Sequence, residues 1–265
     1  KVKTILVSGA FRKDQIFFKW YASFFRKMLG RFEVLTVQDE VSQELLLTIG
    51  FSSKLTGDTR YDRVVAIAAQ ADILPKIELF KGENKLVIAG STWLGDEQAL
   101  KASLEIFPEN WKLILAPHEI NSGHLHSIKN LFGKDCISYS EFERSTDAKV
   151  LIIDNIGMLS SLYRYGEIAC IGGGFDQGGI HNILEPAVFG LPVIFGPAFE
   201  KFSEAREMVA AGFAFPVNDA ESYSRTIKKL MVDGLREPLQ GQIKQFVLSK
   251  TGATQKILKL IEHAK

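Results

Sequence analysis

Short apolar runs alternate with stretches of helical periodicity from about residue 85 onward. Each apolar run is followed by Gly, Pro, Ser or Asp, as expected where a parallel strand turns into a crossover helix. The pattern therefore predicts an α/β domain with a Rossmann-like, doubly wound parallel sheet. The predicted strands cover residues 85–89, 113–116, 150–153, 168–171, 193–195 and 213–215, and the predicted helices cover 96–106, 124–132, 157–164, 183–189 and 203–211.

The first 60 residues follow a different pattern. They hold strands near 4–7 and 33–37, a helix near 41–49 and a closing strand before Thr56, which predicts the last part of a separate α/β unit. We therefore predict two domains, residues 1–60 and residues 61–265. The tail from residue 220 is predicted to form three amphipathic helices that finish the second domain.

Charge and composition exclude several classes of protein. With 46% apolar residues the chain can bury a core, and a net charge of +1 gives no chain-wide attraction to nucleic acid. Cys136 and Cys170 lie in apolar runs, which favours buried free thiols over a disulfide. No apolar run reaches eighteen residues without interruption, so no membrane span is predicted.

One local segment has a strong charge bias. Residues 11–32 combine eight aromatic residues, seven of them between Phe11 and Phe25, with six basic residues and a single acidic one. Read as a basic aromatic helix, the segment is typical of a contact with an anionic membrane surface. The alternative is that its aromatic rings pack on a neighbouring strand or on another domain.

The stretch from Ile171 to Pro186 contains a strand end, a loop with five glycines and the start of a helix. Glycines let backbone amides approach a ligand closely, and the amides of a helix N-terminus attract phosphate. Glu185, one turn into that helix, is placed to accept hydrogen bonds from ribose hydroxyls. We predict a nucleotide site here; the alternative is a tight turn in which the glycines serve packing alone.

Several motifs occur in one order along the chain. The glycine loop continues as Gly178-Gly-Ile-His-Asn-Ile-Leu-Glu-Pro-Ala187 and Gly190-Leu-Pro-Val-Ile-Phe-Gly-Pro197. Upstream stand Thr56-Gly-Asp-Thr-Arg-Tyr-Asp62, Gly90-Ser-Thr-Trp-Leu-Gly-Asp-Glu97 and Ala116-Pro-His118. Together they resemble the donor-binding domain of the 3-deoxy-D-manno-octulosonic acid (Kdo) transferases, whose corresponding upstream motifs are Gly-Asn-x-Lys-Phe-Asp, Ser-Thr-His-x-Gly-Glu and Pro-Arg-His.

The resemblance implies a function. These GT-B-type glycosyltransferases transfer Kdo from CMP-Kdo to a lipid A precursor in lipopolysaccharide biosynthesis, at the cytoplasmic face of the bacterial inner membrane. It further implies that this chain is the donor-binding part, with the family's glutamate base upstream of Lys1 and no activity of its own. No metal or other cofactor is expected, because CMP-linked donors need no cation to bridge a diphosphate.

The resemblance also implies site residues. Arg60 stands where the family has a lysine and is expected to stabilise the leaving phosphate. His118 replaces an arginine, and Met158 replaces a glutamate. The residues expected to contact the donor are Ser91, Thr92, Pro117, His118, Ile156, Gly157, Met158, Gly173, Gly174, Asn182, Ile183, Leu184 and Glu185.

Two other functions agree with the same residues. A GT-B enzyme with a UDP-sugar donor shares the glycine loop and the helix that bears a glutamate. A non-catalytic nucleotide-binding domain would also carry them.

Overall fold

Parallel strands joined by helices build two sheets in this protein. The computed structural model describes residues 2–175 and 178–263. The strands are β1 Ile5–Gly9, β2 Val34–Val37, β3 Lys54–Leu55, β4 Lys85–Thr92, β5 Trp111–Pro117, β6 Cys136–Ser138, β7 Val150–Ile152, β8 Ile168–Ile171, β9 Val193–Phe195 and β10 Ala214–Pro216. The helices are α1 Ser23–Leu29, α2 Glu40–Thr48, α3 Thr59–Ala69, α4 Pro75–Lys81, α5 Leu94–Ser103, α6 Ser122–Phe132, α7 Leu159–Leu162, α8 Leu184–Ala187, α9 Ser203–Ala210, α10 Ala220–Leu230, α11 Asp233–Ser249 and α12 Ala253–His263.

The chain divides into two units. The first comprises Lys1–Ala66 and Val247–Lys265, and the second comprises Ile67–Phe246. The predicted boundary at residues 60 and 61 therefore differs from the observed division by six residues and by the placement of α12. A carboxylate explains this placement, because Asp62 accepts hydrogen bonds from the Gly252 and Thr254 amides at the start of α12.

The first unit contains a parallel sheet in the order β1-β2-β3. Its core is apolar and contains Phe11, Leu29, Leu35, Val37 and Leu46. Helix α3 was not predicted from the sequence pattern. Residues 11–32 do not form the single helix that was predicted: a 3-10 turn at Ile16–Phe18 precedes the short α1.

The second unit contains a seven-stranded parallel sheet in the order β10-β9-β8-β4-β5-β7-β6. The predicted doubly wound sheet is thus confirmed, and every predicted strand of this unit is present. The short edge strand β6 and the helix α4 were not predicted. Strand β4 lies at the centre, with β5 on one side and β8 on the other, so the strand order reverses there.

The helices of the second unit are close to the predicted ranges. The helix predicted at residues 96–106 is α5 followed by a 3-10 turn at Leu104–Ile106. The helix predicted at residues 157–164 is α7 followed by a 3-10 turn at Tyr163–Tyr165. Of the two thiols, Cys170 is buried as predicted, whereas Cys136 is half-buried, and both are free. Within the described residues, no helix is long and apolar enough to cross a bilayer.

Candidate functional site

A cavity opens where the strand order reverses. Ligands of doubly wound sheets bind at this point, beyond the carboxyl ends of the strands, because the loops after the two central strands diverge there. Here the loops after β4 and β8 enclose a cavity of about 510 Å³. Its lining residues are Trp93, Leu94, Gly95, Gly173, Gly178, Gly179, Ile180 and His181.

One buried carboxylate connects the two loops. Asp96 accepts hydrogen bonds through Oδ2 from the amide of Trp93 (3.0 Å) and from the amide of Gly173 (3.1 Å). The first of these bonds caps α5, and the second holds the start of the glycine loop. Asp96 therefore connects the loop after β4 to the loop after β8.

The glycines of the loop have two different uses. A side chain at Gly172 would collide with the backbone of Ser91, and one at Gly174 would collide with the backbone of Gly196. Gly173 has φ +88°, a conformation that favours glycine. Gly172 and Gly174 serve packing, as the alternative interpretation proposed, whereas Gly173 and Gly178 line the cavity and Gly178 has open space beside it. Asp176 and Gln177 of the loop lie outside the described residues.

Three aromatic rings from three loops form a stack beside the cavity. The ring of His118 lies 4.7 Å from the ring of Trp93 and 4.4 Å from the ring of His181, measured between centroids. The indole Nε1–H of Trp93 donates to Nε2 of His181 at 3.2 Å. Burial, together with the neighbouring His118, lowers the pKa of His181. His181 is therefore a neutral acceptor in this stack, and its proton is on Nδ1.

A second buried network supports the same edge of the sheet. Glu97 is fully buried and lies 3.0 Å from Nε2 of His124, and it accepts a hydrogen bond from the Thr92 hydroxyl at 3.0 Å. His124 Nδ1 lies 3.0 Å from the carbonyl of Glu119, just after β5. The network thus links the ends of β4 and β5, and the predicted donor contact Thr92 has its hydroxyl engaged within the protein.

The start of α8 exposes polar groups above a buried apolar pair. Asn182 Oδ1 accepts from the amide of Leu184 at 3.1 Å, and its Nδ2 donates to Glu185 at 3.0 Å. Ile183 and Leu184 are fully buried, so they anchor the segment and their side chains do not face solvent. Asn182 is exposed and Glu185 half-buried. Of the four predicted contacts here, these two present polar side chains to a ligand.

Other predicted residues lie further along the same edge. Pro117 ends β5, and residues 156–158 follow β7, the strand that pairs with β5. The side chain of Ile156 is 87% exposed, and Gly157 has φ +95°. Neither Pro117 nor residues 156–158 line the cavity beside β4 and β8. Residues 156–158 form a separate stretch of surface within the second unit, whereas Pro117 is buried.

Ser91 and Arg60 stand apart from the rest. Ser91 has φ +54°, which is uncommon outside glycine and positions the turn that leads to Trp93. Arg60 belongs to the first unit, whereas all other predicted site residues belong to the second. Its guanidinium pairs with Asp58, with Nη2 at 2.8 Å from Oδ2, beside an open cavity of about 610 Å³ that Arg63 and Thr254 also line.

The sequence pattern missed three residues of the site: Trp93, Asp96 and His181. All three lie inside motifs that were recognised, yet the motifs themselves did not assign them a role. Their importance follows from contacts across the sheet edge, since Trp93 and His181 are 88 positions apart in the chain.

Comparison with known proteins supports the predicted resemblance. No protein-family model matches the chain. It is 32% identical over 184 residues to a 3-deoxy-D-manno-octulosonic acid transferase from Aquifex aeolicus, covering 61% of this chain and 51% of that protein. The chain is thus similar in sequence to Kdo transferases. It spans about half the length of the Kdo transferase from Aquifex aeolicus that it matches.

Solved structures agree with this relationship at the level of the fold. The C-terminal CMP-Kdo binding domain of WaaA from Acinetobacter baumannii matches with a TM-score of 0.58 and 21% identity, over 71% of this chain and 98% of that domain. A UDP-N-acetylglucosamine 2-epimerase matches with a TM-score of 0.61 and 17% identity, over 89% of this chain and 59% of that one. A fold shared with proteins that use different nucleotides does not by itself select a donor.

Proposed function

We propose that this chain binds CMP-Kdo as the donor-binding part of a Kdo transferase. The whole protein would transfer Kdo to a lipid A precursor during lipopolysaccharide biosynthesis. The observation that carries the proposal is the sequence similarity to Kdo transferases. The motifs that resemble this family also contain residues that line the cavity at the strand-order reversal. In this proposal the donor lies across the carboxyl ends of β4, β5, β7 and β8.

Each part of the nucleotide has matching chemistry on this surface. Residues 156–158 would flank the cytosine base next to the buried Pro117, and Glu185 would accept hydrogen bonds from the ribose hydroxyls. The exposed ring of His118 would lie near the phosphate. During transfer, an acceptor hydroxyl bonds to the anomeric carbon, the bond from that carbon to the phosphate oxygen breaks, and CMP leaves. We assign to Arg60 the stabilisation of the negative charge on the leaving phosphate.

A titration of the chain with CMP, UMP and UDP, followed by calorimetry, tests the donor assignment. We expect selective binding of CMP that Glu185→Gln weakens about tenfold, because a ribose hydroxyl loses a charged acceptor. The matched control is Glu109→Gln, since Glu109 is an exposed carboxylate in the turn before β5. Adding EDTA should leave CMP binding unchanged if no metal is needed.

The other outcomes select the alternatives. A preference for UDP would indicate a glycosyltransferase with a UDP-sugar donor. Failure of the wild-type chain to bind any of the three nucleotides would contradict the proposed function and leave the glycine loop a packing feature. Binding of CMP without any change on Glu185→Gln would remove Glu185 from the ribose site.

We also propose that the first unit contacts an anionic membrane, as expected for an enzyme with a lipid-linked acceptor at the inner membrane. Four side chains of the predicted basic aromatic segment are largely exposed: Trp20 (91%), Tyr21 (56%), Phe24 (67%) and Met28 (52%). These four residues are called the aromatic patch below. Exposed Lys13, Lys27 and Arg31 are close to the patch in sequence and supply positive charge.

The remaining aromatic and basic residues of the segment have structural roles. Phe11 is buried, and Phe17 and Phe18 pack against the core of the first unit. Arg26 donates to the carbonyls of Phe17 and Lys19. The packing interpretation therefore holds for these side chains, and the proposed membrane contact is assigned to the exposed ones.

A further inference from the structure

A histidine in the first turn of α6 contacts oxygen atoms through both of its ring nitrogens. His124 Nδ1 lies 3.0 Å from the carbonyl oxygen of Glu119, in the loop after β5. Its Nε2 lies 3.0 Å and 3.1 Å from the two carboxylate oxygens of Glu97, on α5. Glu97 is fully buried, and the side chain of His124 is only 15% exposed. The ring therefore links α5 to the loop after β5, and these three groups are called the histidine clasp below.

Both contacts of the ring require a proton. A carbonyl oxygen is an acceptor only, and so is an ionised carboxylate. Neutral imidazole has a single N–H and can donate to one of the two partners, whereas imidazolium donates to both. Glu97 also accepts from the Thr92 hydroxyl at 3.0 Å, so its carboxylate already has another donor. The clasp is therefore complete only when His124 and Glu97 together hold one proton more than a neutral imidazole and a carboxylate.

Charged groups on the neighbouring elements are engaged away from the ring. Asp96, the residue before Glu97, accepts from the amides of the loops after β4 and β8. Lys101, one turn further along α5, pairs with Asp135 at 2.9 Å. The carboxylate of Glu119 accepts from a side-chain amide of its own loop, and β4 contributes an uncharged hydroxyl. Within the part of the chain that the structure describes, Glu97 is thus the charged group in contact with the ring.

The clasp adjoins the residue that joins this loop to the ring stack. The amide of His118 donates to the carbonyl of Thr92 at 3.0 Å, which attaches the start of the loop to β4. At the end of the loop, Asn121 caps α6 by accepting from the His124 amide at 2.9 Å. Residues 118–121 are therefore bound to β4 at one end and, through the clasp, to α5 at the other.

We propose that His124 is a positioning residue, which through the protonated clasp holds residues 118–121 so that His118 faces the donor phosphate. This inference rests on the proposed function, because the proposed function places His118 near the phosphate. Neither His124 nor Glu97 contacts the donor in this proposal. Loss of the proton removes one of the two donations from the ring, so the loop is held firmly at lower pH and less firmly as the pH rises.

Hydrogen exchange of the His118 amide tests the clasp without any ligand. Protection factors at about pH 6 and about pH 8 are compared, since these factors correct for the pH dependence of intrinsic exchange. We expect protection in wild type to fall about fivefold between the two pH values. Glu97→Gln should abolish this fall, because its side-chain N–H donates to His124 Nε2 and its carbonyl accepts from Thr92 at either pH.

A second variant keeps the test independent of the folding of Glu97→Gln. In His124→Gln the amide can donate to Glu97 but has no proton that titrates, so we expect the low protection of the open clasp at both pH values. The matched control is His126→Gln, since His126 is an exposed histidine of the same helix. This control should reproduce the wild-type fall in protection.

Titration with CMP at the same two pH values tests the role toward the donor. The readout is the ratio of the two dissociation constants in wild type divided by the same ratio in Glu97→Gln. Ionisation of CMP and of His118 affects both chains and cancels in this comparison. We expect the rise in pH to weaken CMP binding about fivefold more in wild type than in Glu97→Gln.

The outcomes separate this inference from the proposed function. If protection of the His118 amide responds to pH equally in wild type, Glu97→Gln and His124→Gln, the clasp does not hold the loop and the inference is overturned. If protection changes as expected but CMP binding responds to pH equally in wild type and Glu97→Gln, the role toward the donor is overturned and the proposed function stands. If wild type binds no CMP at either pH, the proposed function and the role toward the donor both fail, and the exchange measurement alone decides whether the clasp holds the loop.

Discussion

At the scale of single residues, Asp62 shows how one carboxylate can determine which unit an element joins. Its Oδ1 accepts from the Gly252 amide at 2.6 Å, and its Oδ2 accepts from the Thr254 amide at 2.8 Å and the Thr254 hydroxyl at 2.9 Å. It therefore caps α12 from α3, far away in the sequence. Partial burial raises the pKa of Asp62, but the hydrogen bonds to the carboxylate outweigh this effect, and the net pKa is lowered.

We predict that Asp62→Asn destabilises the first unit by about 1 kcal/mol at neutral pH. Because the folded-state pKa is lowered, the ionised carboxylate contributes stability above the unfolded-state pKa of about 3.9, and this contribution is lost as the pH falls through the folded-state value. Urea unfolding at pH 7 and at pH 2, with hydrogen exchange of the α12 amides, measures the effect. Equal destabilisation by Asp62→Asn at both pH values would contradict the electrostatic explanation. Asp147→Asn, which changes an exposed aspartate, is the control.

At the scale of elements, Arg236 joins α11 to the amino ends of the central strands. The side chain is 2% exposed, and its Nε donates to Glu167, just before β8, at 3.2 Å. Its Nη2 donates to Asp233 at 2.8 Å, and the guanidinium lies 5.2 Å from the ring of Trp111 at the start of β5. This network lies at the opposite edge of the sheet from the candidate site, so it serves stability.

We predict that Arg236→Ala destabilises the second unit by about 3 kcal/mol, because Glu167 loses a buried partner. Arg236→Lys should retain only part of the lost stability. An ammonium cannot bond to Glu167, Asp233 and the Leu230 carbonyl in the same planar geometry. Urea unfolding of both variants and of Arg236→Ala with Glu167→Gln measures the coupling. Additive effects of the two changes would show that the pair does not interact.

At the scale of the whole molecule, the net charge of +1 provides no general attraction to an anionic surface. Any attraction must come from a local surface, and the aromatic patch with Lys13, Lys27 and Arg31 is such a surface. Exposed apolar groups of this size next to basic groups are typical of interfacial membrane contacts. Membrane binding should therefore depend on few residues.

We predict that the chain binds vesicles containing phosphatidylglycerol and that Trp20→Ala with Phe24→Ala weakens this binding about tenfold. The double change Lys13→Gln with Lys27→Gln should weaken the free energy of vesicle binding by about 2 kcal/mol. It should also reduce the dependence of that binding on salt. Vesicle co-sedimentation measures both, with Leu47→Ala as a control because Leu47 is an exposed leucine (69%) of the first unit. Unchanged binding in the aromatic variant would place the contact elsewhere.

The sequence predicted those elements whose signal is local. Strands β4, β5, β8 and β9 are continuous apolar runs bounded by turn residues, and such runs are recognisable without knowledge of their neighbours. The glycine loop and Glu185 were also evident. By contrast, the edge strand β6 and the seven-residue helix α4 were not predicted.

The sequence by itself therefore determined the α/β fold class, the order along the chain of the motifs that follow the strands, and the resemblance to Kdo transferases. Only the tertiary structure decided that Trp93, His118 and His181 stack, that Thr92 bonds to Glu97, and that α12 joins the first unit. The physical reason is the range of the interactions. Turn chemistry and apolar periodicity act within a few residues, whereas ring stacks and caps depend on groups that only the folded sheet brings together, such as Asp62 and Gly252, 190 positions apart.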